Sequence, residues 1–233
     1  MCTLTFVPKN NGRFLITSNR DEAPQRETEA PTVSMIDDTR VLFPKDKQAG
    51  GTWIGLSDQK RMICLLNGGF TAHKRKEAYR MSRGLIVKEL LKTQHLKETI
   101  SAYDFNGIEP FTLIAVSWKH DSELLEVVWD GRTAHVEAKP WHPAIWSSSL
   151  LYTPEMKMAR ETWFASFLNT HPNPSSEELR RFHQTAGKEC PEYSLVMDRG
   201  FVRTKSITQI KREEVVSMWY QSLPKGNENE IIF

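Results

Sequence analysis

Segments with a two-residue apolar period and segments with a helical period do not interleave in this chain; they come in blocks. Cys2, Leu4 and Phe6 alternate with Thr3, Thr5 and Val7, a strand pattern. The turn residues Pro8-Lys9-Asn10-Asn11-Gly12 follow, then a second strand from Phe14 to Ser18, so residues 2–18 form a hairpin. The polar stretch from Asn19 to Thr32, with prolines at 24 and 31, is expected to be an irregular loop. Short strands are expected at Val41–Phe43, Trp53–Ser57 and Met62–Leu66. The period then changes: Ile86, Val87, Leu90 and Leu91 predict a helix from about Ser82 to Lys92, with a weaker one over Leu96–Tyr103.

Strand patterns return at Phe111–Trp118, Leu124–Trp129, Ala134–Glu137 and Ala144–Ser148. Thr153-Pro154-Glu155 opens another helix, with a threonine N-cap, proline at the first position and an acid in the first turn. Its apolar set is Ala159, Trp163, Phe164, Phe167 and Leu168. Ser175-Ser176-Glu177-Glu178 has the form of a capping box for a fourth helix. Strands at Ser194–Met197, Lys205–Ile210 and Val215–Tyr220 close the chain, and the tail from Gly226 is polar until its last three residues. Strands, helices, strands, helices, strands is the order of an α+β protein in which two antiparallel sheets are covered by helices. A doubly wound parallel sheet needs one helix per strand and fits less well. With no linker and no repeat, residues 1–233 are expected to form a single domain.

The net charge of +2 is too small to favour nucleic acid or an anionic membrane surface. Apolar runs stay short of the roughly 20 residues of a membrane helix, and the start lacks a secretory pattern. Cys2, Cys64 and Cys190 are odd in number and far apart, which suggests neither a disulfide framework nor a zinc knuckle. The seven histidines show no ligand spacing, so neither metal nor cofactor is expected. A reducing, cytoplasmic setting follows from the cysteine usage.

Cys2 carries the chemistry of most interest. A thiol at neutral pH is mainly protonated and needs a base. A chain-terminal cysteine has one in its own α-amine, which titrates near pH ~8, and removal of Met1 would place both groups on one residue. Asn19 and Asp21 share a parity just past the second strand, with Arg20 and Glu22 on the other. An aspartate near that amine would orient it and set its charge.

Met1-Cys2-Thr3, Asn19-Arg20-Asp21-Glu22, Gly50-Gly51-Thr52-Trp53-Ile54-Gly55 and Leu66-Asn67-Gly68 together resemble the NRDE family, also called the transport and Golgi organisation 2 family. Ser82-Arg83-Gly84, Ser147–Pro154 and Thr204–Thr208 extend the resemblance. It implies an N-terminal-nucleophile hydrolase-like fold, a four-layer αββα sandwich. More distantly, the chain is similar to the choloylglycine hydrolase and penicillin V acylase group, in which an N-terminal cysteine attacks an amide. Carried over by position, Cys2 is the nucleophile, Asp21 its partner and Asn67 the candidate oxyanion donor. Asn19, Arg20, Ser148 and Arg83 are the supporting or substrate-binding candidates. The chain departs from these patterns at Ser18, where the group usually has arginine, and at Ser148, where relatives often carry asparagine.

Two functions follow as expectations. One is an N-terminal cysteine hydrolase acting on a non-peptide amide of a small molecule. The other, which the family resemblance implies, is a lipid, acyl-CoA or haem binding or transport protein of the same fold. The basic run His73-Lys74-Arg75-Lys76, with Arg80 and Arg83 nearby, would suit an anionic or acyl-containing ligand. Gly50-Gly51-Thr52 lacks the lysine and helix of a phosphate loop and is expected to be a tight turn.

Overall fold

The computed structural model describes residues 2–223 and 226–233, with Cys2 described by its backbone alone. In chain order the first strands are β1 (Cys2–Pro8), β2 (Phe14–Glu22), β3 (Thr28–Ile36), β4 (Thr39–Asp46), β5 (Ile54–Ser57) and β6 (Arg61–Asn67). Helices α1 (Arg83–Lys92) and α2 (Leu96–Ala102) follow, then β7 (Phe111–Ser117), β8 (Glu123–Trp129), β9 (Ala134–Lys139) and β10 (Ala144–Ser147). Helices α3 (Pro154–Thr170) and α4 (Ser176–Thr185) precede β11 (Arg203–Arg212), β12 (Val216–Ser222) and β13 (Glu228–Ile232). The expected block order holds, and the fold is α+β with two antiparallel sheets.

The chain forms two compact units, one from its start to Arg26 and from His142 to Phe233, the other from Glu27 to Trp141. The first unit holds the sheet β10-β1-β2-β11-β12-β13 with α3 and α4; the second holds the sheet β3-β4-β5-β6-β7-β8-β9 with α1 and α2.

In the second unit the strands run in sequence order, a meander on whose β4, β5 and β6 helix α1 packs, with α2 against α1. Ile86, Val87, Leu90 and Leu91 of α1 meet Val41, Phe43, Ile63, Leu65, Leu113 and Leu125 in an apolar layer. Arg61 closes that layer by donating from Nη1 to the carbonyls of Leu90 and Thr93, which supplies the orphan acceptors at the end of α1. The Gly50-Gly51-Thr52 turn is as expected before β5, and it also receives the start of α1: the Thr52 amide donates to the Gly84 carbonyl at 3.1 Å. A Cβ on Gly51 would sit 2.5 Å from the Gly84 carbonyl carbon, so no larger residue fits.

In the first unit β1 and β2 pair with Leu4 opposite Ser18 and Phe6 opposite Ile16. The short helical turn at Asn10–Gly12 that joins them uses positive φ at Asn11 and Gly12. Helix α3 starts as expected, with the Thr153 hydroxyl accepting from the Met156 amide, and α4 starts at the full capping box of Ser175 and Glu178.

Two sequence expectations are corrected. The stretch after residue 18 is not a loop: β2 continues to Glu22, and a new strand, β3, begins at Thr28. Buried side-chain partners and pairing with β11 make up for the polar composition of residues 19–22. β3 is an edge strand, and Pro31 is tolerated where its register with β4 shifts between Glu29 and Thr32. Ser194–Met197 forms no strand and runs instead as turns beside α4. The polar tail contributes an edge strand, β13, paired to β12.

Candidate active site

Along β1 and β2 the face turned to the helices changes character. Val7 and Leu15 oppose each other and join Phe164, Leu179, Phe182 and Leu195 in an apolar cluster. One step along, the opposed pair is Thr5 and Thr17; the next is Thr3 and Asn19; Asp21 ends the row. All of these side chains are buried. Polar groups removed from water must find partners, since each one left unpaired costs about 1–3 kcal/mol. Helices α3 and α4 and the turns after them supply those partners.

Asp21 is fully buried. Its Oδ2 accepts from the Tyr152 hydroxyl at 2.6 Å, and its Oδ1 accepts from the Thr204 hydroxyl at 2.7 Å. Thr204 stands opposite Asp21 on β11 and is itself fixed by the Met197 amide, which donates to its oxygen. The register then shifts between Thr204 and Ser206, so that Thr204 pairs with Asp21 while Ser206 pairs with Arg20. Bulges of this kind re-aim side chains near functional sites. Burial pushes the Asp21 carboxyl above the ordinary carboxylate range, and the Arg160 charge with the two hydroxyl donors pulls it back. Among the described residues, Asp21 makes no ion pair within 4.0 Å.

Tyr152 reaches Asp21 because Ser148 ends β10 in a turn: the Ser148 carbonyl accepts from the amides of Leu151 and Tyr152 at 3.3 and 3.1 Å. Arg160, on α3, has no solvent exposure. Its guanidinium carbon lies 3.5 Å from the centre of the Tyr152 ring. Its Nε donates to the Tyr193 carbonyl at 2.9 Å and its Nη2 to the Ser194 carbonyl at 2.8 Å. Its Nη1 donates to the hydroxyls of Thr3 and, at 3.4 Å, Ser147. Arg199 lies over the same Tyr152 ring at 5.5 Å. Burial and the nearby Asp21 charge hold the Tyr152 hydroxyl well above the usual tyrosine range, so it stays a donor.

Asn19 is occupied by α4. Its Nδ2 donates to the carbonyls of His183 and Leu195, at 3.0 and 2.6 Å. Its Oδ1 must therefore accept from His183 Nδ1, which leaves Nε2 to accept from the Thr5 hydroxyl at 2.7 Å. Burial, with Arg160 nearby, pushes His183 down to about 3, so the ring is neutral at physiological pH. His183 and Asn19 hold α4 to the sheet.

Arg20 has the other parity. It stands opposite Cys2 on β1 and Ser206 on β11, and its Nη2 is 3.7 Å from Glu22 Oε2. The Cys2 backbone is therefore one strand position from Asp21; the Cys2 side chain and Met1 lie outside the described residues.

Asn67 and Arg83 belong to the second unit. Asn67 ends β6 opposite Phe111, just before Gly68, whose φ is +92°. The Pro110 carbonyl accepts from the Gly68 amide at 3.0 Å and from Arg83 Nη1 at 2.9 Å, so Arg83 braces the turn that Asn67 begins. Arg83 Nη2 also pairs with buried Glu109 at 3.1 Å, which His73 and Arg75 approach at 3.4 and 3.8 Å. Arg80 pairs with Asp104 at 3.0 Å. Much of the basic run is thus committed to carboxylates of its own unit. Among the described residues no group of three His, Cys, Asp or Glu could hold a metal ion, and no helix is long and apolar enough to cross a membrane.

The sequence patterns missed Tyr152, Arg160, Thr204 and His183 as parts of this network. One signal was present: Arg160, Phe164 and Phe167 are spaced i, i+4, i+7 and share one helix face, so Arg160 lies within the apolar stripe of α3.

The chain has the fold of solved N-terminal-nucleophile hydrolases, on which it superposes over nearly its whole length. A Caenorhabditis elegans orthologue of N-acylethanolamine-hydrolyzing acid amidase superposes with TM-score 0.63 at 12% identity, covering 100% of each chain. A variant of conjugated bile acid hydrolase from Clostridium perfringens gives 0.60 at 10% identity over 99% of this chain and 92% of that one. Penicillin V acylase from Agrobacterium tumefaciens gives 0.57 at 10% identity over 100% and 86%. The chain belongs to the Transport and Golgi organisation 2 family, whose model matches residues 1–185. No curated protein matches the sequence significantly.

Proposed function

We propose that the protein is an N-terminal cysteine hydrolase that cleaves the amide bond of a small molecule. The observation that carries this is Asp21: a fully buried carboxylate, held by two hydroxyl donors and one strand position from Cys2, in no direct ion pair among the described residues, with the Arg160 charge acting on it only from across the Tyr152 ring. A buried carboxylate is costly unless a cation or several donors face it. The α-amine that Cys2 gains when Met1 is removed would add N–H donors in direct reach of the carboxylate.

In this scheme the thiol gives its proton to the α-amine and the thiolate attacks the amide carbonyl. A backbone N–H donates to the oxyanion. The ammonium then protonates the leaving amine, and water hydrolyses the thioester, returning the thiol. Arg20, opposite Cys2 in the register, is the candidate contact for a carboxylate or other anionic group of the substrate. A reactive thiol of this type suits a reducing compartment such as the cytoplasm. The similar structures named for bile acid conjugates, penicillin V and N-acylethanolamines motivate a panel of small N-acyl compounds. Turnover of at least one that is lost in Cys2→Ala is the expected result; turnover unchanged in Cys2→Ala would overturn the proposal.

One observation favours a second function, ligand binding without turnover. Ser18 and Ser148 stand where the choloylglycine hydrolase group and the NRDE relatives usually carry arginine and asparagine, and both serines are buried. Saturable binding of haem or an acyl-CoA that survives Cys2→Ala, with no hydrolysis across the panel, would establish it.

A further inference from the structure

Arg160 is a permanent cation with no solvent exposure, and none of the described ion pairs involves it. The guanidinium donates to four neutral oxygens, two backbone carbonyls and two hydroxyls. A lone buried charge of this kind is among the most expensive groups a fold can carry. The carboxylate that answers it is Asp21, on the far side of the Tyr152 ring. The guanidinium faces the ring at 3.5 Å, and the ring's hydroxyl donates to Asp21 at 2.6 Å. Arg160 also holds Thr3, the residue after Cys2, by its hydroxyl. From one turn of α3, a single side chain therefore touches the strand that begins at Cys2 and, through Tyr152, the carboxylate beside it.

We propose that Arg160 and Tyr152 are positioning residues of the Cys2 site, Arg160 balancing the charge of Asp21 across the Tyr152 ring and pinning Thr3, and Tyr152 holding the carboxylate in a fixed orientation. This rests on the hydrolase proposal above for its link to catalysis. The consequence for that chemistry is specific. Because Arg160 already offsets the Asp21 charge, an α-ammonium arriving next to Asp21 faces a nearly neutral cluster rather than a bare anion. It loses its proton more readily, and the neutral amine is the form that can take the thiol's proton. Full exposure to an uncompensated aspartate would do the reverse and trap the amine as ammonium.

Among the described residues, the charged and titratable groups around Asp21 are few. They are Tyr152 from the turn after β10, Arg160 from α3, Arg199 over the same ring, and Arg20 and Glu22 beside it on β2. His183 of α4 is neutral and bound to Asn19 and Thr5. Of these, Arg160 and Tyr152 are the pair that couple directly to the carboxylate from the helix side.

The test is the titration of Asp21 itself, followed by the carboxyl carbon's NMR shift in selectively labelled full-length protein. Arg160→Gln removes the balancing charge, and Tyr152→Phe removes the donor while keeping the ring. Each is expected to raise the Asp21 midpoint, by about one pH unit for the lost charge, and Arg160→Lys to restore most of the shift. An unchanged midpoint in Tyr152→Phe, which retains the ring packing, overturns the proposal even should Arg160→Gln fail to fold. The titration needs neither substrate nor Met1 removal. Retention of Met1 or turnover independent of Cys2 would therefore sink the hydrolase proposal and leave this one to be judged on the midpoint alone. Where turnover is found, Tyr152→Phe should also displace the acidic limb of the kcat profile while leaving KM near its wild-type value; a change in KM alone counts against a positioning role.

Discussion

The two units pair the same parts, an antiparallel sheet and two helices, yet they fill the space between sheet and helices differently. In the second unit that layer is aliphatic and aromatic throughout, from Val41 and Ile63 on the strands to Ile86 and Leu90 on α1, and the buried carboxylate Glu109 lies outside it among cations. In the first unit the equivalent layer is apolar at one end, at Val7 and Leu15, and becomes a hydrogen-bonded polar network at the other, from Thr5 to Asp21. An apolar layer is forgiving of small changes and indifferent to pH. A buried polar network is neither, since each member left without its partner costs more than the bond it made. That sensitivity belongs to the unit in which the proposed Cys2 site lies.

The contrast can be broken by substitution. Arg160→Met should be the most damaging single change. It strands Asp21 without its countercharge and leaves the Tyr193 and Ser194 carbonyls and the Thr3 hydroxyl without donors, for a loss of about 3–5 kcal/mol in urea unfolding. A loss under about 1 kcal/mol would show that the network is not tightly coupled. Leu90→Ala, in the apolar layer of the second unit, should cost about 2–5 kcal/mol by leaving a cavity, and the cost should be the same at pH 5 and pH 7. A marked pH dependence there would erase the distinction between the units.

His183 sharpens the comparison through pH. Its folded-state value of about 3 lies far below the ordinary value of 6.5, so its contribution to stability is complete above pH 6.5 and is lost as pH falls toward 3. The slope from this group approaches about 1.4 kcal/mol per pH unit. Asp21 works in the opposite sense: its pKa is raised, so its contribution is present at low pH and lost as pH rises through its folded value. The melting temperature should accordingly decline between pH 6.5 and 4.5, and His183→Gln should flatten that decline; an equally steep decline in the variant would assign it to other groups. The smallest effect is at the start of α4. Ser175→Ala removes half of the capping box at an exposed helix end and should cost about 1 kcal/mol at any pH in this range.

Much of the fold was legible from periodicity. The block order, both helix pairs and the caps at Thr153 and Ser175 follow from local residue chemistry, which acts over a few positions and needs no knowledge of the far chain. The extension of β2 through Asn19–Glu22 was not legible in that way. A strand of polar residues looks like a loop until the partners that bury it, Thr204 and Tyr152 and His183, are known to meet it from more than a hundred residues away. The family motifs singled out Asp21 and Asn19 together, yet they did not separate Asp21, whose partners are two hydroxyls, from Asn19, whose amide is consumed in holding α4. Arg160 escaped because an arginine on a helix reads as solvated, although its place in the stripe of Phe164 and Phe167 said otherwise. Gly51 and Gly84 are the converse case: motif residues that explain themselves by the close approach of two backbones.

The central claim is that the Asp21 site is built for the α-amine of a chain that begins at Cys2. The most direct measurement is the intact mass and N-terminal peptide of the protein isolated from its native cell. The account predicts a chain lighter by one methionine residue, with an unblocked cysteine at its start. A chain that retains Met1, or whose Cys2 amine is acylated, would contradict it.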